Sequence, residues 1–152
     1  MTLTLKTAPE TERNTFLTLA DAELIIEEIE SSAADEWRAT GFDEARKKRL
    51  LTSATRDISA HPWEGEVTSA DQLQAWPRDG ESTIPAEVER ATVLQALFRL
   101  SGRYLDAEAQ ADGVSMISPG SGMTSFVGGR VLICREAMLE LHPWRRHDEE
   151  IV

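Results

Sequence analysis

Residues 86–108, AEVERATVLQALFRLSGRYLDAE, decide the fold of this 152-residue chain. Pro85 precedes them, and proline is favoured in the first turn of a helix because its missing N–H has no partner there. The stretch contains no proline and a single glycine, Gly102. Its apolar side chains cover an arc wider than the stripe of an ordinary surface helix. We therefore predict a central helix over residues 86–108, about 35 Å long, packed on several sides or against another subunit.

Three shorter helices are predicted before the central one. Thr18 and Asp21 resemble a capping box at the start of the first, with Asp in place of Glu or Gln. Gly41 ends the second helix, and Asp43 is placed to cap the third. The predicted ranges are 19–30, 33–40 and 44–59.

The chain changes character after the central helix. Residues 114–118 and 124–127 are rich in β-prone side chains and flank a Gly/Ser-rich turn, so a β-hairpin or an extended loop is predicted over 114–133. Residues 135–141 predict a last short helix. The expected fold is mainly α, a small helical bundle around one long central helix. It comprises an N-terminal arm over residues 1–14, extended or mobile, a helical domain over 15–141, and a tail over 142–152.

The segment between the third helix and the central helix is a loop with aromatic anchors. We expect Leu73, Trp76 and Ile84 to attach this loop, residues 66–84, to the body. Trp63, Trp76 and Pro77 are the predicted core anchors, since large aromatic side chains favour burial. Arg78 is then placed to bond loop carbonyls or a carboxylate.

Charge and composition limit the classes of function. The net charge is −11, which argues against gripping a phosphate backbone, because that requires clustered Lys and Arg. No apolar run approaches the roughly 18 residues of a membrane span, and no signal peptide is visible. Cys134 is the only cysteine, so a reducing compartment is expected and the thiol is interpreted as a small buried hydrophobe. A soluble protein made in a cytoplasm is predicted.

The basic run at residues 46–49, RKKR, permits two interpretations. One is a solvated helix face whose cations pair with nearby acids. The other is a contact for nucleic acid or a protein partner. A basic run near a helix N-terminus opposes the helix dipole, which favours the first interpretation.

The sequence contains no pattern typical of catalysis or of cofactor binding. His61, His142 and His147 lack the spacing of a zinc site, and there is no Cys-x-x-Cys. The glycine-rich residues 118–129 lack the Gly-Lys-Ser/Thr ending of a phosphate loop. We therefore expect no enzyme, no metal and no cofactor.

Several motifs follow one another along residues 16–146: FLTLADA (16–22), RLLTSATRDI (49–58), Trp63 with Gly65, QLQAWPR (72–78), IPAEVERA (84–91) and LHP (141–143). In this order they resemble the head–tail connector proteins of tailed phages, many of which are described as DnaT-like single-stranded DNA-binding proteins.

This resemblance implies a structural virion protein without enzymatic activity. Connectors assemble in the host bacterial cytoplasm into a ring, commonly dodecameric, under the portal in the virion neck. The ring extends the DNA channel, passes DNA without specific binding, and joins the portal protein to a tail-side stopper or tail-completion protein. The implied portal-docking residues are Leu141, Pro143, Trp144, Arg145 and Arg146. The wide apolar helix suggests Val88, Leu94, Leu97, Phe98 and Tyr104 for subunit packing.

Two other hypotheses remain open from sequence. A single-stranded DNA-binding protein of a phage or prophage would need aromatic side chains interleaved with a basic groove. A small enzyme or regulatory domain would need a pocket with convergent polar groups.

Overall fold

The computed structural model of the protein describes residues 2–9, 12–104 and 132–146, and the backbone of residues 123–124. The fold is mainly helical, as predicted. Two short strands pair antiparallel, with Met123 opposite Cys134. The elements in chain order are α1 (Leu19–Glu27), α2 (Ser32–Arg38), α3 (Glu44–Ala60), α4 (Ala86–Leu100), β1 (Met123–Thr124), β2 (Ile133–Cys134), α5 (Arg135–Glu140) and a 3-10 turn (His142–Trp144).

Side-chain caps fix where the first three helices begin. The Thr18 hydroxyl accepts a hydrogen bond from the Asp21 backbone N–H at 3.1 Å and donates one to the Asp21 carboxylate at 2.6 Å. Ser31 and Asp43 accept from backbone N–H groups at the starts of α2 and α3. The predicted caps at Thr18 and Asp43 are therefore confirmed. Gly41 follows α2 with a φ of +88°, a conformation that glycine adopts without strain.

The predicted length of the central helix is wrong. Helix α4 ends at Leu100, so it is about 22 Å long rather than about 35 Å. Ser101 has an extended backbone, with a ψ of 152°. Its hydroxyl donates to the carbonyl of Phe98 at 2.6 Å, an alternative to the helical hydrogen-bond pattern that serine offers readily. Gly102 follows, and glycine has a low helix propensity. Residues 102–104 are helical again, and residues 105–108 lie outside the described part of the chain.

Helix α4 lies between two groups of buried apolar side chains, which explains its wide apolar arc. Val88, Ala91 and Phe98 pack in one group with α5 and β2. Val93, Ala96, Leu97 and Leu100 pack in the other group with α1 and α2. Helix α4 contacts α1, α2, α3 and α5.

Of the predicted hairpin over residues 114–133, the structure describes only residues 123–124 and 132–133. The expected strand over 114–118 lies outside the described residues, as do residues 125–131. The described strand Met123–Thr124 pairs with Ile133–Cys134. Helix α5 begins directly after β2, at Arg135.

The described N-terminal residues are hydrogen-bonded to each other and to the body of the protein. The Lys6 backbone N–H donates to the Asn14 side-chain oxygen at 2.7 Å, and the Asn14 backbone N–H donates to the Lys6 carbonyl at 2.9 Å. The buried Arg13 side chain donates to the carbonyl of Thr7 at 2.8 Å and to that of Trp76 at 3.3 Å. The arm is thereby joined to the loop that precedes α4.

Candidate functional site

The Trp76-Pro77-Arg78 loop is built around a buried guanidinium. Arg78 is 8% exposed. Burial lowers the pKa of this guanidinium from its ordinary value, although Asp79 opposes the change. Arginine remains charged in proteins, so its charge needs many acceptors. The Arg78 side chain donates to the backbone carbonyls of Trp63, Glu64, Gly65 and Ala75. Of the two partners expected for Arg78, the loop carbonyls are confirmed.

Gly65 is required where the two halves of this loop meet. Its φ is +83°, and a Cβ built there would overlap the carboxylate of Asp79. That carboxylate accepts the backbone N–H of Glu66 at 3.0 Å. The turn therefore requires a residue without a side chain at position 65.

Aromatic side chains meet at Trp76, which is 1% exposed. Its ring lies 5.9 Å from Phe16, 5.2 Å from Trp63 and 5.5 Å from Trp144. The Trp63 indole donates to the carbonyl of Ile58 at the end of α3, at 2.7 Å. Trp63, Trp76 and Pro77, the predicted core anchors, are all buried. Leu73 was also expected to anchor the loop, but it is 62% exposed, and that prediction is wrong.

The residues suggested for portal docking divide into two groups. Leu141 is fully buried, and Trp144 is half-buried against the Trp76 ring. The Trp144 carbonyl also accepts the Glu64 backbone N–H at 2.8 Å. Pro143 and Arg146 are exposed, and Arg145 is half-buried. Leu141 thus belongs to the core of the protein itself, Trp144 packs against that core while staying partly exposed, and the other three face solvent at least in part.

The residues suggested for subunit packing divide similarly. Val88, Leu97 and Phe98 are buried in the described fold. Leu94 and Tyr104 are half-buried and pack against the same core. The wide apolar arc, from which subunit packing was inferred, is covered mainly by the other helices of the same chain.

Each cation of the run 46–49 lies near an acidic side chain, as the first interpretation predicts, although the two arginines are farther from theirs than the two lysines are. The pairs, with their nitrogen–oxygen distances, are Lys47–Glu23 (2.8 Å), Lys48–Glu44 (2.7 Å), Arg46–Glu36 (3.8 Å) and Arg49–Asp43 (3.8 Å).

A buried polar network between α3, α4 and β2 was not predicted. The Gln95 amide donates to the carbonyl of Leu132 at 2.7 Å and accepts the backbone N–H of Cys134 at 2.9 Å. It therefore pairs with β2 as a neighbouring strand would. Gln95 also donates to Asp57, which forms a bidentate ion pair with Arg99. The signal in the sequence is a glutamine within an apolar stripe, a position that requires a polar partner.

Neither the histidines nor the cysteine forms a reactive centre in the described residues. Burial, together with the charge of Arg146, lowers the pKa of His61 to about 4. Burial raises the pKa of the Cys134 thiol to about 12, which keeps it protonated and unreactive. No group of three potential metal ligands occurs in the described part of the chain.

A cavity of about 400 Å³ lies between the α1–α2 connection and the C-terminal half of α4. Its lining is largely apolar and includes Ile29, Leu94 and Phe98. Three charged residues line it, Glu30, Arg103 and Glu136, and the last two pair with each other at 3.8 Å.

The described residues thus form a mainly helical protein in which buried aromatic side chains and Arg78 hold the loop before α4 in place. None of the described helices has the length and apolar character that crossing a membrane requires. The family model described as "Putative DnaT-like ssDNA binding protein" matches residues 1–121. Because that match covers most of the chain, this protein belongs to the DnaT-like family. No curated protein matches the chain, and no solved structure does either.

Proposed function

We propose that this protein is a structural component of a phage neck, a head–tail connector that assembles as a ring under the portal. The strongest support for this proposal is that the clustered cations are paired with acids and that most of the tryptophans are buried. The basic run at 46–49 is paired with acids, Trp37, Trp63 and Trp76 are buried, and the net charge is −11. Such a surface repels a phosphate backbone and suits a channel through which DNA moves freely.

The positions of the family-like motifs also support a structural role. Trp63 and the Trp76-Pro77-Arg78 loop hold together the N-terminal arm, the end of α3 and the C-terminal segment. These residues are buried and hydrogen-bonded within the chain. They are therefore suited to fixing a shape rather than to contacting a substrate.

Single-stranded DNA binding is the second candidate, and the family description favours it more directly than it favours the connector. Such binding requires aromatic side chains on which bases stack, beside a positively charged groove. Among the described residues, the four tryptophans are buried or half-buried. The DNA-binding candidate would therefore need a contact surface other than the tryptophans.

Co-sedimentation with the portal complex of the same genome, together with titration of a fluorescent oligonucleotide at two salt concentrations, separates the two candidates. A connector sediments with the portal and shows no salt-dependent oligonucleotide binding. A single-stranded DNA-binding protein gives the opposite result, with affinity that falls steeply as salt rises.

The docking end of the connector is tested with variants that preserve the core. Deleting residues 142–152 would remove Trp144 and its contact with Trp76, so loss of binding would not identify a docking residue. Deletion of residues 147–152 and the substitution Arg146→Glu leave Trp144 in place. We expect either change to weaken portal binding, whereas Arg135→Glu, an equal charge change at another exposed arginine, should not.

A further inference from the structure

The loop over residues 64–81 presents exposed carboxylates next to exposed apolar side chains. It contains five acidic residues and a single cation, Arg78, whose guanidinium is bound by backbone carbonyls. Glu66, Asp71 and Glu81 are exposed and form no ion pair within the described residues. Val67 and Leu73 are 43% and 62% exposed. Large apolar side chains at solvent, rimmed by charge, are typical of protein contact sites.

This acidic loop is also held in one shape. Thr68 and Asp79 donate backbone hydrogen bonds across the loop to Pro77 and Glu66, at 3.1 and 2.8 Å. The Gln72 amide donates to the Pro77 carbonyl at 3.0 Å. A surface that is already ordered loses little conformational entropy when it binds a partner.

A complementary surface lies on the solvent side of α3. Arg49 and Arg56 are both exposed and are seven residues apart, so they lie on one helix face about 10 Å from each other. Arg49 has only a distant partner, Asp43 at 3.8 Å. Arg56 forms no ion pair in the described part of the chain. We call this pair of residues the arginine ridge.

We propose that the acidic loop of one copy binds the arginine ridge of a second copy of this chain. The proposal rests on the proposed connector function and names the contact between neighbouring subunits. Because the two surfaces are different, the contact is heterologous and can repeat from copy to copy until a ring closes. The apolar side chains Val67 and Leu73 then pack against the aliphatic stems of the arginines, which long charged side chains offer readily.

A second copy fits the arginine ridge better than nucleic acid does. The ridge has no exposed aromatic side chain beside it, since Trp37 is buried and Phe42 is half-buried. Two arginines without a stacking platform are a poor site for single-stranded DNA. The acidic loop supplies the matching charge within the same chain.

Charge reversal on each surface tests the proposal in the full-length protein. One variant carries Arg49→Glu and Arg56→Glu, and the other carries Glu66→Lys and Asp71→Lys. All four side chains are exposed, so both variants should fold, as checked by circular dichroism and thermal unfolding. Self-association is measured by sedimentation velocity for each variant alone and for a mixture, with and without the portal complex. Arg135→Glu is the matched control.

We expect each reversed variant alone to lose self-association by roughly tenfold or more, and the mixture to regain it in part, because one reversed face meets the opposite reversed face. Raising the salt concentration should weaken the association of the wild-type protein. If either variant associates as the wild type does, the proposed contact is wrong. The connector function would still stand if that variant sediments with the portal.

Two other outcomes also overturn the contact. Wild-type protein that neither self-associates nor sediments with the portal rejects the connector function together with the contact. Loss of oligonucleotide binding on reversal of the arginine ridge, with unchanged self-association, assigns the ridge to nucleic acid instead.

Discussion

At the scale of single residues, buried polar side chains determine the loops of this protein. Arg78 is the clearest case, because one guanidinium serves four carbonyl groups of the polypeptide. The sequence Trp-Pro-Arg does not by itself say what each residue does. In the structure Trp76 fills the core, Pro77 lies in the turn, and Arg78 bonds the loop carbonyls.

Replacing Arg78 by lysine should destabilise the protein even though lysine keeps the positive charge. Lysine has three donors on one nitrogen and cannot reach carbonyls spread across the planar fork of arginine. Buried carbonyls would lose their donors, and we expect the free energy of unfolding to fall by about 2–4 kcal/mol. Urea denaturation measures this change. The exposed Arg135→Lys is the control, and a loss below about 0.5 kcal/mol for Arg78→Lys would contradict this role of the guanidinium.

His61 should make stability depend on acidity. Its pKa is about 4 in the folded protein and 6.5 in the ordinary state, so the unfolded chain binds a proton that the folded chain does not. The His61 contribution is therefore complete above pH 6.5 and declines as the pH falls towards 4, by at most about 3 kcal/mol. Chemical denaturation across this range measures it.

The substitution His61→Gln separates this contribution from that of the carboxylates. It should flatten the decline between pH 6.5 and 4, although it lowers stability at neutral pH through the changed packing. His142→Gln, at an exposed histidine, should leave the decline as in the wild type. An unchanged profile for His61→Gln would show that His61 is not its source.

At the scale of elements, the Gln95 side chain joins α4 to β2, because its amide forms the two hydrogen bonds that a neighbouring strand would form. Replacing Gln95 by leucine should leave the Leu132 carbonyl and the Cys134 N–H without partners, costing about 2–3 kcal/mol. Hydrogen exchange should show it locally: the Cys134 amide should exchange faster than in the wild type, while the Leu51 amide within α3 changes less. Equal acceleration at both amides would indicate general destabilisation instead of a local connection.

The same elements show what sequence can and cannot predict here. Helix starts at Thr18 and Asp43 were predictable because a side-chain cap acts within three residues. The end of α4 at Leu100 was not, because apolar periodicity continues through Tyr104, while the extended backbone of Ser101 interrupts the helix locally. Burial of Trp76 was predictable from its size. The exposure of Leu73 and the Gln95 network depend on contacts distant in sequence, which no local pattern encodes.

At the scale of the whole molecule, Trp76 joins the two ends of the described chain. The N-terminal arm reaches it through Arg13 and Phe16, and the C-terminal segment reaches it through Trp144. A docking role for the end of the chain would therefore fall on Pro143, Arg145 and Arg146, because Leu141 and Trp144 contribute to the core. Substitutions of the core residues should therefore change stability, and substitutions of the exposed residues should change partner binding.

Replacing Trp144 by alanine should destabilise the whole protein. The half-buried ring packs edge-on against Trp76, and its loss should cost about 2 kcal/mol, less than a fully buried tryptophan. Because Trp76 also holds the arm and the end of α3, thermal unfolding should remain a single transition at lower temperature. Arg146→Ala, at an exposed side chain, should change stability by less than about 0.5 kcal/mol. Unchanged stability of Trp144→Ala together with lost portal binding would instead return Trp144 to the docking surface, free of the core.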